Sequence, residues 1–185
     1  GTARNRASPD EIGSLLTTAG IKSSIAIVRH GESAATLAQD AVRQGFGTVV
    51  ACGGDGTVGA VASAVIGTPA ALGIIPIGTR NHFAKDLHIP LDVEAATQVV
   101  SRGKIEKVDA GEVNGKCFVN NSSLGIYPSI VITRERRMRT GGNKWIALVL
   151  AIVRVLRRYP FVDVRISALG ECIAERTPFV FVGNN

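Results

Sequence analysis

Three glycines, an acid and a hydroxyl stand together at Gly53-Gly54-Asp55-Gly56-Thr57, directly after the apolar run Val49-Val50-Ala51-Cys52. Helix-compatible sequence over residues 58–65 follows at once. Glycine admits positive φ and lets another group approach the backbone without a Cβ in the way. A helix N-terminus offers unpaired N–H groups and the positive end of the dipole, so a turn of this kind suits an anion. Asp55 is a poor neighbour for bare phosphate unless a metal or a proton transfer requires it. The turn reads as a phosphate site with a catalytic or Mg²⁺-linked carboxylate. A plain strand-to-helix turn with an N-capping Asp would use the same residues.

A second stretch with chemical capacity, Gly78-Thr79-Arg80-Asn81, follows another apolar run over residues 71–75. Thr79 and Asn81 carry groups that hydrogen-bond a ligand, though Thr also closes turns and Asn also caps helices. Arg80 suits either phosphate or solvent, and His82 suits a helix start. His30 and His88 have no partner visible in the sequence.

The elements that must position these residues come from periodicity. Ser8-Pro9-Asp10-Glu11 is a helix start, with Ser as N-cap, Pro in the first turn and Glu at N3. Gly20 ends that helix. Residues 24–29 read as a strand, 32–44 as a helix, 48–51 as a second strand, 57–66 as the helix after the glycine turn and 71–75 as a third strand. Short helices follow over 82–87 and 93–101. Such alternation favours a parallel sheet covered on both faces, in which ligands bind beyond the carboxyl ends of the strands. The two glycine-bearing loops both follow strands in this way and are expected at one edge.

From Lys104 the pattern changes to strand-like segments. Residues 105–113 and 116–121 flank Asn114-Gly115, a pair suited to a type I′ hairpin turn. Residues 161–167 and 172–182 add further strands, with a turn near Gly170. The predicted organisation is a nucleotide-binding α/β domain over 1–103 and a β-rich domain over 104–185, interrupted by a basic helical insert at 127–159. The last strands reach Asn184-Asn185 without a closing cap, so the chain reads as cut within its second domain.

With 185 residues, 45% of them hydrophobic, the chain is long enough for a substantial core. Cys52, Cys117 and Cys172 are odd in number and form no Cys-x-x-Cys or Cys/His cluster. Reduced thiols, a cytoplasmic setting and no zinc are expected. Nothing at the N-terminus resembles a signal peptide. The net charge of +6 is local, because residues 134–158 hold eight basic side chains and a single acid, Glu135.

Together the two motifs, continued by His82-Phe83-Ala84-Lys85-Asp86-Leu87, resemble the catalytic domain of the diacylglycerol kinase and lipid kinase family, which includes sphingoid-base kinases and bacterial lipid kinases. Val108-Asp109-Ala110-Gly111 and the stretch from Phe118 through Asn120 to Gly125 resemble the start of that family's second domain. The resemblance implies a doubly wound, mainly parallel α/β domain followed by the start of a β-sandwich, with a cleft between them. It implies transfer of the ATP γ-phosphoryl group to a lipid hydroxyl, with Mg²⁺, in lipid metabolism and phospholipid biosynthesis. Gly53, Gly54, Gly56 and Thr57 would then hold phosphates through N–H groups and a hydroxyl. Asp55 would act on Mg²⁺ and the phosphates, directly or through water, and Gly78, Thr79 and Asn81 would complete the nucleotide pocket. Asn120, Asn121 and Ser122 would line the cleft or serve a hairpin strand.

Three features depart from the family. His82 stands where many members carry an acid, Asn5-Arg6-Ala7-Ser8 is at most a remnant of the usual Asn-Pro-x-x-Gly turn, and the Asp-Gly-Glu element bearing the family's general base is expected beyond the point where this chain stops. Asp109-Ala110-Gly111-Glu112 sits at the domain entry and is not that element. The chain alone is therefore expected to hold nucleotide weakly and not to turn over. An NAD kinase-like enzyme shares the first motif but not the second. A non-catalytic nucleotide- or lipid-binding regulator is the reading that His82 favours.

The basic segment has two interpretations. Residues 145–153, starting at Trp145, are apolar throughout and far short of the ~20 needed to span a bilayer. With flanking arginines they suit a helix on an anionic membrane surface, and equally a helix buried between domains. Nucleic acid is not expected, since only Trp145 and Tyr159 supply aromatics near the charge. An exposed sheet edge would favour a homodimer.

Overall fold

The computed structural model describes residues 7–29, 32–125, 161–168 and 171–184. The basic insert at 127–159 and the turn near Gly170 lie outside the described residues. Two compact units are present: one comprises residues 1–120 with 184–185, the other residues 121–183.

In the first unit, α1 (Pro9–Thr18) starts as its sequence dictates. Ser8 Oγ accepts the Glu11 N–H at 3.1 Å, and Glu11 Oε2 accepts the Ser8 N–H at 3.4 Å. This reciprocal cap satisfies two of the donors that a helix start leaves open. Gly20, at φ 77°, stops the helix.

The centre of the unit is a parallel pair, β1 (Thr48–Gly53) and β2 (Ala71–Pro76), in register from Thr48 opposite Ala71 to Gly53 opposite Pro76. Both strands end at the same level, and a glycine-bearing loop leaves each. Side chains alternate across a strand, and here the two faces meet different helices. Ala51 and Ile74 pack with α2 (Ala34–Arg43), α3 (Asp55–Val65) and α4 (His82–Asp86), through Ala38, Val58, Val61 and Phe83. Val50, Cys52 and Ile75 face α1 and α5 (Val93–Ser101), through Ile12, Leu16 and Val93. Ile75 is completely buried. Helices thus cover both faces of the pair, as an α/β layering requires.

The strand expected over residues 24–29 does not form. The apolar alternation is present, but a strand also needs a neighbour to accept its hydrogen bonds. Among the described residues β1 and β2 pair with one another only, and Ile25 and Ile27 stay 45% and 59% exposed.

The Asn114-Gly115 hairpin joins β3 (Gly111–Val113) to β4 (Lys116–Phe118). Both turn residues have positive φ, 49° and 73°, as a type I′ turn demands. This hairpin, which the sequence pattern groups with the later strands, falls in the first unit. The second unit holds two antiparallel pairs: β5 (Asn121–Gly125) with β8 (Phe179–Gly183), and β6 (Val162–Ala168) with β7 (Glu171–Thr177). Within it, the Arg176 guanidinium lies 5.5 Å from the Phe161 ring centroid and 3.9 Å from Asp163 Oδ1. No described helix is long and apolar enough to cross a membrane.

Candidate active site

The loop after β1 and the loop after β2 meet backbone to backbone. A Cβ built on Gly78 would lie 2.3 Å from the Gly54 Cα and 2.6 Å from Asn81 Oδ1. No real side chain tolerates such contacts, so only glycine permits this approach. Gly53 is required for a different reason: a Cβ there would meet the Thr57 Cβ at 2.5 Å and Oγ1 at 2.6 Å, because the Thr57 side chain folds back over it. Gly56 faces open space. Its lack of a side chain leaves the first turn of α3 uncovered.

Gly54 is the N-cap of α3 and makes no side-chain cap, so the first N–H groups of that helix have no acceptor supplied by a capping side chain. Asp55 is the first residue of α3, but its carboxylate does not cap its own helix. Asp55 Oδ1 accepts the Phe83 N–H at 3.1 Å, and the Asn120 Nδ2 amide approaches the same oxygen at 3.4 Å. Oδ2 takes no hydrogen bond among the described residues. Asp55 therefore does not cap the helix that follows its own turn, as a plain strand-to-helix turn would have it: it caps α4, and Oδ2 stays clear of donors among the described residues.

Asn81 occupies the N-cap position of α4 in the left-handed region, at φ 52° and ψ 49°, without capping it. Its Nδ2 donates instead to the Gly78 carbonyl at 2.8 Å. Its Oδ1 is buried and unpartnered, as is Oδ1 of Asn120. A buried polar atom without a partner is costly and calls for a reason. Thr79, Arg80 and His82 are exposed, while Asn81 is 4% exposed. Of the residues singled out in sequence, Gly53, Gly54, Asp55, Thr57, Gly78 and Asn81 gather at the two loops, with Gly56 and Thr79 on their open side. Asn121 is exposed in β5.

Sequence reasoning did not foresee the link from Asp55 to Asn120, 65 residues on. Nor did it foresee Asn184, whose N–H donates to the Asn120 carbonyl at 2.8 Å and whose Nδ2 reaches the carbonyls of Asp109 and Val119. The family resemblance singles out Asn120 but gives it no partner, and Asn is too common in turns for its type alone to flag Asn184. Just before the turn, burial beside α1 and α5 pushes the Cys52 thiol up to about 11, so it stays protonated at neutral pH. No group of three or more His, Cys, Asp or Glu able to hold a metal occurs among the described residues.

The profile of a family described as the diacylglycerol kinase catalytic domain matches residues 1–113. A protein named "Probable lipid kinase YegS-like" from Yersinia pestis (strain Pestoides F) is 39% identical over 109 residues, covering 57% of this chain and 34% of that protein. A protein of the same name from Yersinia pseudotuberculosis serotype O:1b (strain IP 31758) matches to the same extent. The chain thus spans about a third of the length of the curated relatives it matches. The crystal structure of a diacylglycerol kinase from Bacillus anthracis str. Sterne superposes with a TM-score of 0.65 at 22% identity, over 95% of this chain and 57% of that one. That likeness is one of fold. The matched residues include both glycine-bearing loops and Asp55 of the first, and the chain belongs to the diacylglycerol kinase catalytic-domain family.

Proposed function

We propose that the two loops form the phosphate-handling part of a lipid kinase, which transfers the γ-phosphoryl group of ATP to a lipid hydroxyl. The observation that carries this reading is the backbone contact of Gly54 with Gly78 beside an Asp55 carboxylate that keeps Oδ2 unengaged. Phosphoryl transfer asks a protein chiefly for positioning and charge neutralisation. The uncapped start of α3, open at Gly56, supplies N–H groups to phosphate oxygens, and Thr57 adds a hydroxyl. Thr79 and Asn81 bound the nucleotide from the second loop, where the unpartnered Asn81 Oδ1 is an acceptor awaiting a donor.

Mg²⁺ fits this donor set as an ion that arrives with the nucleotide. It commonly keeps waters and takes one or two carboxylates plus substrate phosphates, and Asp55 offers one such oxygen. When bound it would neutralise phosphate charge, and Asp55 would hold it directly or through water.

In the same reading the first unit belongs to a doubly wound nucleotide-binding domain and the later strands to a β-sandwich. The basic stretch 134–158 meets an anionic membrane surface, and the protein works in the cytoplasm at the membrane periphery. The test is a radiolabelled-ATP assay of the full-length protein against a panel of lipids and NAD. Labelled lipid that disappears with Asp55→Asn supports the reading, whereas labelled NAD with no labelled lipid would reverse it. Vesicle binding that survives replacement of Arg134, Arg136, Arg137 and Arg139 would remove the membrane assignment.

A further inference from the structure

We infer that Asn120 is a positioning residue for Asp55, and that Asn184 holds Asn120 in place; this rests on the functional reading of Asp55 above. An Asp at the first position of a helix has its Cα fixed, but its terminal torsion is broad and roughly two-fold. One donor, the Phe83 N–H, leaves the carboxylate free to swing about that bond. A second donor to the same oxygen, Asn120 Nδ2, closes that freedom and gives Oδ2 one direction.

Asn120 is suited to this task because its backbone is gripped from both sides. Its predecessor, Val119, is buried with Ala38, Val58 and Phe83 in the core behind α3. Its own carbonyl accepts the Asn184 N–H at 2.8 Å. The Asn184 amide nitrogen then bridges two further carbonyls, Asp109 at 2.6 Å and Val119 at 3.0 Å. One residue thus ties together the segments before and after the β3–β4 hairpin at the point where Asn120 emerges.

The second observation is the buried, unpartnered Oδ1 of Asn120. A residue serving packing alone would do better as an apolar side chain of the same shape, which leaves no acceptor unmade. Asn120 bears that cost while its other amide atom reaches the site's only described acid. Its role is to aim the carboxylate.

The experiment is a double-mutant cycle in the full-length protein, using Asp55→Asn, Asn120→Ala and the pair, with kcat and KM for ATP and thermal stability measured for each. Asn120→Ala is expected to lower kcat roughly tenfold with KM for ATP changed less than about threefold. Combined with Asp55→Asn it should cost nothing further, because a carboxylate no longer present cannot be misaimed. Asn184→Ala should lower kcat in the same direction and add nothing to Asn120→Ala. As a readout independent of turnover, the Asn120 side-chain amide resonances should shift in Asp55→Ala. That measurement and Asn184→Ala carry the test if Asn120→Ala fails to fold. Unchanged kcat in Asn120→Ala, losses that multiply in the pair, or unmoved amide resonances would each overturn the inference while leaving the kinase reading intact. Wild-type turnover in Asp55→Asn would instead overturn the role of Asp55, and the positioning role with it.

Discussion

Asp55 Oδ1 accepts the backbone N–H of Phe83 at 3.1 Å, so the acid of the first loop caps the helix that leaves the second. The charge proposed to serve phosphate chemistry is therefore also a structural tie between two loops. The two roles separate by substitution. Asp55→Ala removes the acceptor and should lower stability by about 1–2 kcal/mol in chemical denaturation. Asp55→Asn keeps an acceptor oxygen and should stay within about 0.5 kcal/mol of the parent, yet lose at least roughly 100-fold in kinase turnover.

The glycines of the two motifs should not be equivalent. Gly78→Ala drives a methyl into the Gly54 backbone, with no flexible side chain able to yield, and should cost about 2–3 kcal/mol. Gly56→Ala meets nothing within 4 Å and lies in a helix, so stability should hold or rise by about 0.5–1 kcal/mol. If phosphate approaches the open first turn of α3, the same methyl should weaken nucleotide binding by about tenfold. Calorimetric melting and nucleotide titration of the two variants would separate folding from binding.

Cys52 predicts an alkaline stability slope. Its thiol is held up to about 11 in the folded chain against 9.0 when exposed, because burial disfavours the thiolate. Below pH 9 both states keep the proton and the group contributes no slope. Between pH 9 and 11 the unfolded chain releases its proton while the folded chain retains it, so stability falls as pH rises, by about 3 kcal/mol at most. Denaturation midpoints across that window should show the decline, and Cys52→Ala should flatten it. At pH 8 a thiol reagent should modify the exposed Cys172 well before Cys52.

The β3–β4 turn should propagate to Asn120. Gly115 lies at φ 73°, where a β-carbon is strained, and Gly115→Ala should destabilise by about 1–2 kcal/mol. Because β4 leads directly to Val119 and Asn120, amide exchange should rise there as well as in the turn.

Features that rest on neighbours in the chain were legible from residue types. The Ser8–Glu11 capping box and the Asn114-Gly115 turn depend on contacts within a few residues, whereas α3 starts at Asp55, two residues ahead of the helix expected over 57–66. The expectation that both loops share an edge also held, since parallel strands in register must end together. Residues 24–29 show the limit of that reasoning: alternation specifies a face, but a strand exists only where another strand accepts its hydrogen bonds.

Sequence by itself therefore determined the layering and which residues stand at the two loops, because turns, caps and periodicity are short-range physics, while the family rested on the resemblance carried by the two motifs in order. Tertiary structure decided what those residues do to one another. Only folding brings Gly78 against Gly54, turns Asp55 from a cap of its own helix into a cap of α4, and carries Asn120 across 65 residues to the same carboxylate oxygen. Those contacts arise from how helices pack on a sheet, and no local pattern encodes which distant amide will face which acid.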